Sequence, residues 1–239
     1  MAGHSKWANI KHQKAKADAK KGKIFSRSVK EIITAVKLGG PDKASNPRLR
    51  LAIDRAKEAN VPNDIIDRNI KKASSADQGD YTPVTYELYG YGGVGIIVHV
   101  TTDNKNRTAS DMRIATNKRG GTLAAPGSVT FNFDPKGVIE ISKQHAVEEE
   151  LFLAATEAGA EDFEAVDDFY VITTPPGDLL KVKEAVQKLG FKVDSAEEEM
   201  LPKVWIDCDP ENQKANLLLI EWLAALEDVD TVWHNLSLA

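Results

Sequence analysis

Apolar residues recur at helical spacing up to residue 73 and as β-branched runs from residue 84 onward. A polar stretch, Ser74-Ser75-Ala76-Asp77-Gln78-Gly79-Asp80, separates the two regimes. Before it, Phe25, Val29, Ile32, Ile33 and Val36 fall on one face of a helix over 23–38, which Gly39-Gly40-Pro41 stops. Pro47, behind Ser45 and Asn46, opens a second helix striped by Leu49, Ala52, Ile53 and Ala56. Pro62 opens a third, carrying Ile65, Ile66 and Ile70. Residues 1–21 hold few large apolar side chains beyond Trp7 and Ile10. They read as an extended arm, or as a helix that orders on binding.

After the linker the pattern predicts strands over 84–88 and 94–101, joined by a turn at Gly90-Tyr91-Gly92-Gly93. A helix over 105–118 follows, opened by Asp103 or Asn104 and closed by Gly120-Gly121, and then a strand over 128–133. Residues 137–199 carry the order β-α-β-β-α-β of a ferredoxin-like unit. Its strands are expected at 138–141, 163–166, 169–173 and from 191, and its helices at 147–158 and 179–189. The C-terminal stretch predicts a strand over 203–207, a helix over 211–226 and a strand over 231–236. Alone it has too few strands for a covered sheet. Pairing it with residues 80–133 completes a second α/β unit and makes the ferredoxin-like unit an insertion. The expected architecture is α+β in three domains: 1–75, 80–133 with 203–239, and 134–202.

Charge is segregated along the chain. The net value of −5 hides residues 1–75, with 18 Lys/Arg against 7 Asp/Glu, and an acidic remainder. Within residues 1–30 the single acid is Asp18. Solvated faces mix both signs; a basic block on an acidic body points to a polyanion. The candidate contacts are Lys6, Trp7, Lys11, His12, Lys14, Lys16, Lys20, Lys21, Lys23 and Arg27. A second basic block opens the helix at 105, with Lys105 and Arg107 near a helix N-terminus and Arg113, Lys118 and Arg119 beyond. Lysines neutralise phosphate and read sequence poorly, so binding is expected to be salt-sensitive and led by shape. The connection 39–46 is longer than a helix-turn-helix turn.

Other functions find little support. Gly90-Tyr91-Gly92-Gly93-Val94-Gly95 lacks the Lys-Ser/Thr of a phosphate loop and enters a strand. His4, His12, His99, His145 and His234 have no metal-site spacing, and His99 alternates within a strand as a packing residue. Cys208 lies between Asp207 and Asp209, which raise a thiol pKa, and as a lone cysteine it excludes an internal disulfide. Glu148-Glu149-Glu150 and Glu197-Glu198-Glu199 are runs, read as solvated faces. The reading is therefore no enzyme, no metal and no cofactor. No signal peptide is visible at residues 1–14, and the apolar stretch 217–226 is too short to span a bilayer, so a cytoplasmic chain without a membrane partner is expected.

Ala2-Gly3-His4-Ser5-Lys6-Trp7-Ala8-Asn9-Ile10-Lys11-His12, followed by Lys21-Gly22-Lys23-Ile24-Phe25, resembles the signature of the YebC/PmpR family. Tyr86-Glu87-Leu88-Tyr89-Gly90, Asp103-Asn104-Lys105-Asn106-Arg107-Thr108 and Gly127-Ser128-Val129 match as well, and the resemblance spans essentially the whole chain. Mitochondrial relatives include the translational activator of cytochrome c oxidase. The resemblance implies a helical domain and two α/β domains, the last inserted in the middle one. Family members are described as DNA-binding transcriptional regulators of the cytoplasm, others as ribosome-associated factors that help elongation through sequences such as proline runs. No catalytic residues carry over. The basic signature maps onto Lys6, Lys11, Lys14 and Lys23, and the second block onto Lys105 and Arg107. The expected partner is nucleic acid, DNA or ribosomal RNA, with the ribosome as a further candidate and a monomer as the favoured state.

Overall fold

The computed structural model describes residues 6, 7, 9, 10, 21–74 and 81–238. They form seven helices and two four-stranded antiparallel sheets, an α+β architecture, divided between two compact units.

The larger unit holds the described residues of 21–130 and 206–238. Its helices α1 (Lys21–Gly39), α2 (Pro47–Glu58) and α3 (Asn63–Ala73) bury Ile32, Ile33, Val36, Leu49, Ile53, Ile66 and Ile70 in one core. Burying an aliphatic side chain of this size contributes about 1.5–3 kcal/mol, so the helical domain has an adequate core of its own. Asn46 starts α2: its side chain accepts from Leu49 N at 3.0 Å and donates to Ala35 O and Gly40 O, tying the α1 end to the α2 start.

The same unit carries a sheet in the order β3-β1-β2-β8. Its strands are β1 (Thr82–Tyr89), β2 (Gly95–Thr102), β3 (Thr122–Ala124) and β8 (Val229–His234). The β1–β2 hairpin closes at Tyr89 opposite Gly95, and Gly92 and Gly93 take φ of 68° and 81°, a region that favours glycine. Ile96, Val98 and Val100 alternate onto one face and meet Met112 and Ala115 of α4 (Lys105–Arg119) and Leu219 and Leu223 of α7 (Pro210–Ala225). A bulge in β8 leaves Asp230 as an extra residue, between Val229 opposite Val100 and Thr231 opposite His99.

The smaller unit holds residues 131–205 together with Trp7 and Ile10. Its sheet runs β5-β6-β4-β7, the ferredoxin-like order. The strands are β4 (Phe133–Ser142), β5 (Asp162–Val166), β6 (Phe169–Thr174) and β7 (Ser195–Pro202), with helices α5 (Glu148–Ala158) and α6 (Leu179–Lys188). The chain thus leaves the first sheet after β3, builds the second, and returns to the first with β8.

Several local expectations are corrected. Residues 128–133 form no strand: Thr130–Asn132 is a 3-10 turn and the strand is the earlier β3. Glu87 explains this, because its carboxylate accepts from the backbone N–H of Gly127, Val129 and Thr130, which are then unavailable to a ladder. β4 starts five residues earlier than expected, running through Pro135 and Gly137. Pro135 is tolerated because β6 pairs with β4 only from Gly137 on, leaving one side of Pro135 unpaired. Phe191 and Val193 are buried outside any strand, and β7 contains the Glu197-Glu198-Glu199 run, with Glu199 buried rather than solvated. No strand spans 203–207; Ile206 alone makes a parallel bridge to Leu236. β8 begins two residues before its expected start.

Candidate nucleic-acid interface

The second basic block lies on α4. Asn104 caps the helix by accepting from Arg107 N at 3.1 Å, and five cations against one acid, Asp111, occupy its fifteen residues. Thr108, Met112, Ala115 and Thr116 are buried, which turns Lys105, Arg113 and Lys118 outward. Those three are exposed cations. Arg119, in the last turn, has its guanidinium carbon 5.0 Å from the Trp222 ring centroid, a cation–π contact.

Arg107 is engaged differently. Its Nη2 donates to Asp103 Oδ1 at 2.9 Å and to both oxygens of Asp228, at 2.8 and 3.0 Å. Asp228 is buried at the turn before β8. It also accepts from Thr102 Oγ1 at 3.0 Å and Thr108 Oγ1 at 2.7 Å, and pairs with Lys30 of α1 at 3.4 Å. Burial pushes the Asp228 carboxyl up, but the hydrogen bonds from Arg107, Thr108 and Thr102 and the Lys30 charge outweigh it and hold the group below its ordinary value. The hydrogen bonds that Arg107 donates to Asp228 and Asp103 raise its pKa in turn. Lys30 donates further to Glu227 O at 3.2 Å, so this acid joins the helical domain to the sheet.

Arg27 of α1 is half-buried. It acts electrostatically on His99 and Asp230, on the sheet face opposite Met112. Burial is the main cause that lowers the His99 pKa and raises that of Asp230. His99 packs 6.3 Å from Trp233 between ring centroids, in keeping with its expected packing role. Cys208 has its thiol raised by burial first, then by Asp209 and Asp207.

In the basic arm, Lys6, Trp7, Asn9 and Ile10 are helical. Trp7 is 4% exposed and donates from Nε1 to Glu164 Oε1 at 2.8 Å. With Ile10 it joins Val138, Val166, Val171 and Leu201 in a core cluster on one face of the ferredoxin-like sheet. Trp7 is one of the candidate contacts of the basic arm, and in this seat its indole is covered by the cluster. Lys6 lies 4.9 Å from the Trp7 ring. Lys11, His12, Lys14, Lys16 and Lys20 lie outside the described residues; Lys21 and Lys23 belong to the first turn of α1.

The helical domain contains one turn of helix-turn-helix length, residues 59–62 between α2 and α3. The helix that follows presents Asp64 and Asp67 near its start, and both are exposed. Asp64 pairs with Arg68 at 3.6 Å and Asp67 with Lys43 at 3.5 Å. Carboxylates at that end oppose insertion between phosphate backbones.

Among the described residues no group of three His, Cys, Asp or Glu is placed to hold a metal ion, and no helix is long and apolar enough to cross a membrane.

A set of three packed helices, an antiparallel sheet with two helices and a ferredoxin-like unit between β3 and β8 define an α+β class. The chain belongs to the TACO1/YebC family. The model described as the TACO1/YebC protein N-terminal domain matches residues 5–76, and that of the second and third domain matches residues 81–236. A protein of Protochlamydia amoebophila is 68% identical over 238 residues, covering 100% of this chain and 97% of its own. One of Chlamydia muridarum is 56% identical over 240 residues, covering 99% of this chain and 100% of its own. Both carry the name probable transcriptional regulatory protein. The crystal structure of a conserved hypothetical protein from Aquifex aeolicus superposes with a TM-score of 0.83 at 43% identity, covering 96% of each chain. At the level of the family, the chain is a regulator.

Proposed function

We propose that this chain is a non-enzymatic, nucleic-acid-binding regulator of gene expression that works in the cytoplasm as a DNA-binding transcriptional regulator. The observation that carries the reading is the charge segregation: 18 bases against 7 acids in residues 1–75, on a chain of net −5. The names of the relatives direct it to transcription. Binding is assigned to Lys6, Lys11, Lys14, Lys16, Lys20, Lys21 and Lys23 in the first domain and to Lys105, Arg113 and Lys118 on α4. Arg107 and Trp7 have a supporting role instead, holding the elements that carry these cations, and Arg27 stays among the candidate contacts. The working domains are 1–75, 80–133 with 203–239, and 134–202.

A second reading, a ribosome-associated translation factor that binds ribosomal RNA, is favoured by one feature. The helix after the helix-turn-helix-length turn shows acids where a DNA reader shows donors, and lysine-rich contacts suit a structured RNA surface.

Co-sedimentation with ribosomes across a salt series, with duplex DNA as competitor, separates the two. A promoter-specific regulator stays in the supernatant and prefers its site over bulk DNA by orders of magnitude. A ribosome factor pellets at physiological salt despite excess DNA, and deleting residues 1–21 abolishes the pelleting.

A further inference from the structure

The outer face of α5 does not suit a polyanion. Leu151, Ala154, Ala155 and Ala158 are buried, which points Phe152 and Leu153 away from the core. They are 50% and 58% exposed, and Val147 at the N-cap is exposed as well. Large apolar residues placed side by side on the solvent face of a helix add nothing to the core and favour association.

Phe152 is also held in place. Its ring meets Phe163 of β5 edge-on at 5.5 Å, Phe163 stacks on Tyr170 at 5.4 Å, and Lys143 lies 5.5 Å over Tyr170. A ring fixed by neighbours loses less conformational freedom when a partner covers it.

The charges on α5 itself have one sign, with Lys181 beside its C-terminal Gly159 and Lys143 over Tyr170 as neighbouring cations. Glu148, Glu149, Glu150 and Glu157 lie on α5, which has no Lys or Arg. Acids in the first turn suit the helix dipole, but Glu157 stands in the last turn, where a carboxylate is disfavoured. Capping therefore does not account for the whole set. Across residues 131–205 the chain has seventeen Asp/Glu against seven Lys/Arg. Nucleic acid and anionic lipid are repelled by such a face, and a cationic partner is attracted.

We propose that the outer face of α5, built on Phe152 and Leu153 and rimmed by Glu148, Glu149 and Glu157, docks a basic protein segment. The occupant is a helix whose apolar stripe covers the two side chains and whose Lys or Arg residues meet the carboxylates. None of the cations assigned to nucleic acid belongs to α5.

The test uses the full chain and two fluorescent peptides of equal charge in about 150 mM salt, where exposed charges are screened beyond roughly 8 Å. One peptide has Leu at helical spacing among lysines; the other has Ser in place of Leu. Anisotropy is expected to show the Leu peptide binding at least about tenfold more tightly, about 1.4 kcal/mol. Phe152→Ser with Leu153→Ser should remove that preference. Both positions are exposed, so circular dichroism should be unchanged. Glu148→Gln, Glu149→Gln and Glu157→Gln together should weaken binding and flatten its salt dependence. Equal binding of the two peptides, or of the wild type and the Ser variant, overturns the proposal. So does light scattering that shows the chain pairing with itself through Phe152 and Leu153, because the occupant is then a second copy.

Discussion

Arg107 Nη2 bridges both carboxylate oxygens of Asp228, at 2.8 and 3.0 Å, and so fastens the start of α4 to the turn before β8. The guanidinium is 46% exposed while the carboxylate is buried, so the pair joins a solvated cation to a desolvated acid. Its partner Lys30 comes from the helical domain, which makes Asp228 a shared anchor for two elements far apart in sequence.

Asp228→Ala is expected to destabilise the larger unit by about 3–5 kcal/mol, the usual cost of leaving a buried charged network without its counter-ion. The hydroxyls of Thr102 and Thr108 lose their acceptor at the same time. Asp228→Asn retains one acceptor and should lose less, and Arg107→Ala less again, because its guanidinium is largely solvated. Hydrogen exchange of β2 and β8 amides separates these effects from the other unit, whose protection should not change.

Glu87 gives a second, independent loss. Its buried carboxylate accepts from Gly127 N at 2.6 Å, Val129 N at 2.5 Å and Thr130 N at 2.9 Å. Glu87→Gln keeps the shape but turns an amide donor toward those donors, and should cost about 2 kcal/mol. Faster exchange at Val129 and Thr130, with β5 and β6 unaffected, is the expected signature.

Acid sensitivity follows from the same two groups. Burial raises both, but hydrogen bonds from Gly127, Thr130 and Val129 hold Glu87 below its ordinary 4.5, and those from Arg107, Thr108 and Thr102 hold Asp228 below 3.8. A carboxyl with a lowered folded pKa binds its proton more weakly folded than unfolded. Its stabilisation is therefore complete above the ordinary value and is lost as pH falls through the folded one. Unfolding midpoints should fall as pH drops below about 4.5. Glu87→Gln should flatten that slope.

The helical domain was readable from the sequence because its apolar stripe and its stops, Gly39 and Pro47, are local. The ferredoxin-like unit was readable from element order. The roles of Asp228 and Glu87 were not, because each gathers partners more than twenty residues away, and the block that contains Glu87 says nothing of what its carboxylate accepts. The strand expected at 128–133 failed for that reason: the amides of residues 127–130 answer to a carboxylate forty residues earlier. Trp7 read as one more candidate contact because its neighbours are lysines; its hydrogen-bond partner Glu164 lies 157 positions on.

Trp7→Phe should preserve the apolar seat and lose the bond to Glu164, at a cost of about 1 kcal/mol. Trp7→Ala also opens a void beside Val138, Val166 and Val171 and should cost about 3 kcal/mol or more. Glu164→Gln keeps an acceptor and should sit near the wild type, whereas Glu164→Ala removes it and should sit near the Phe variant. The readout is exchange at β5 and β6, which should quicken most for Trp7→Ala.

The exposed and braced cations of α4 should separate in a salt titration. Each phosphate neutralised contributes about 0.9 to the slope of log affinity against log salt on duplex DNA, and about 0.7 on single strands. Replacing Lys105, Arg113 and Lys118 by Gln should therefore reduce the slope by up to about 2.7 on a duplex if all three meet phosphate. Arg107→Gln should leave the slope unchanged, since its guanidinium already serves Asp228, and any loss of affinity should follow the loss of folding seen by hydrogen exchange. A slope that falls with Arg107→Gln but not with the triple replacement would place the phosphate contact at the start of α4, against the geometry of the Asp228 pair.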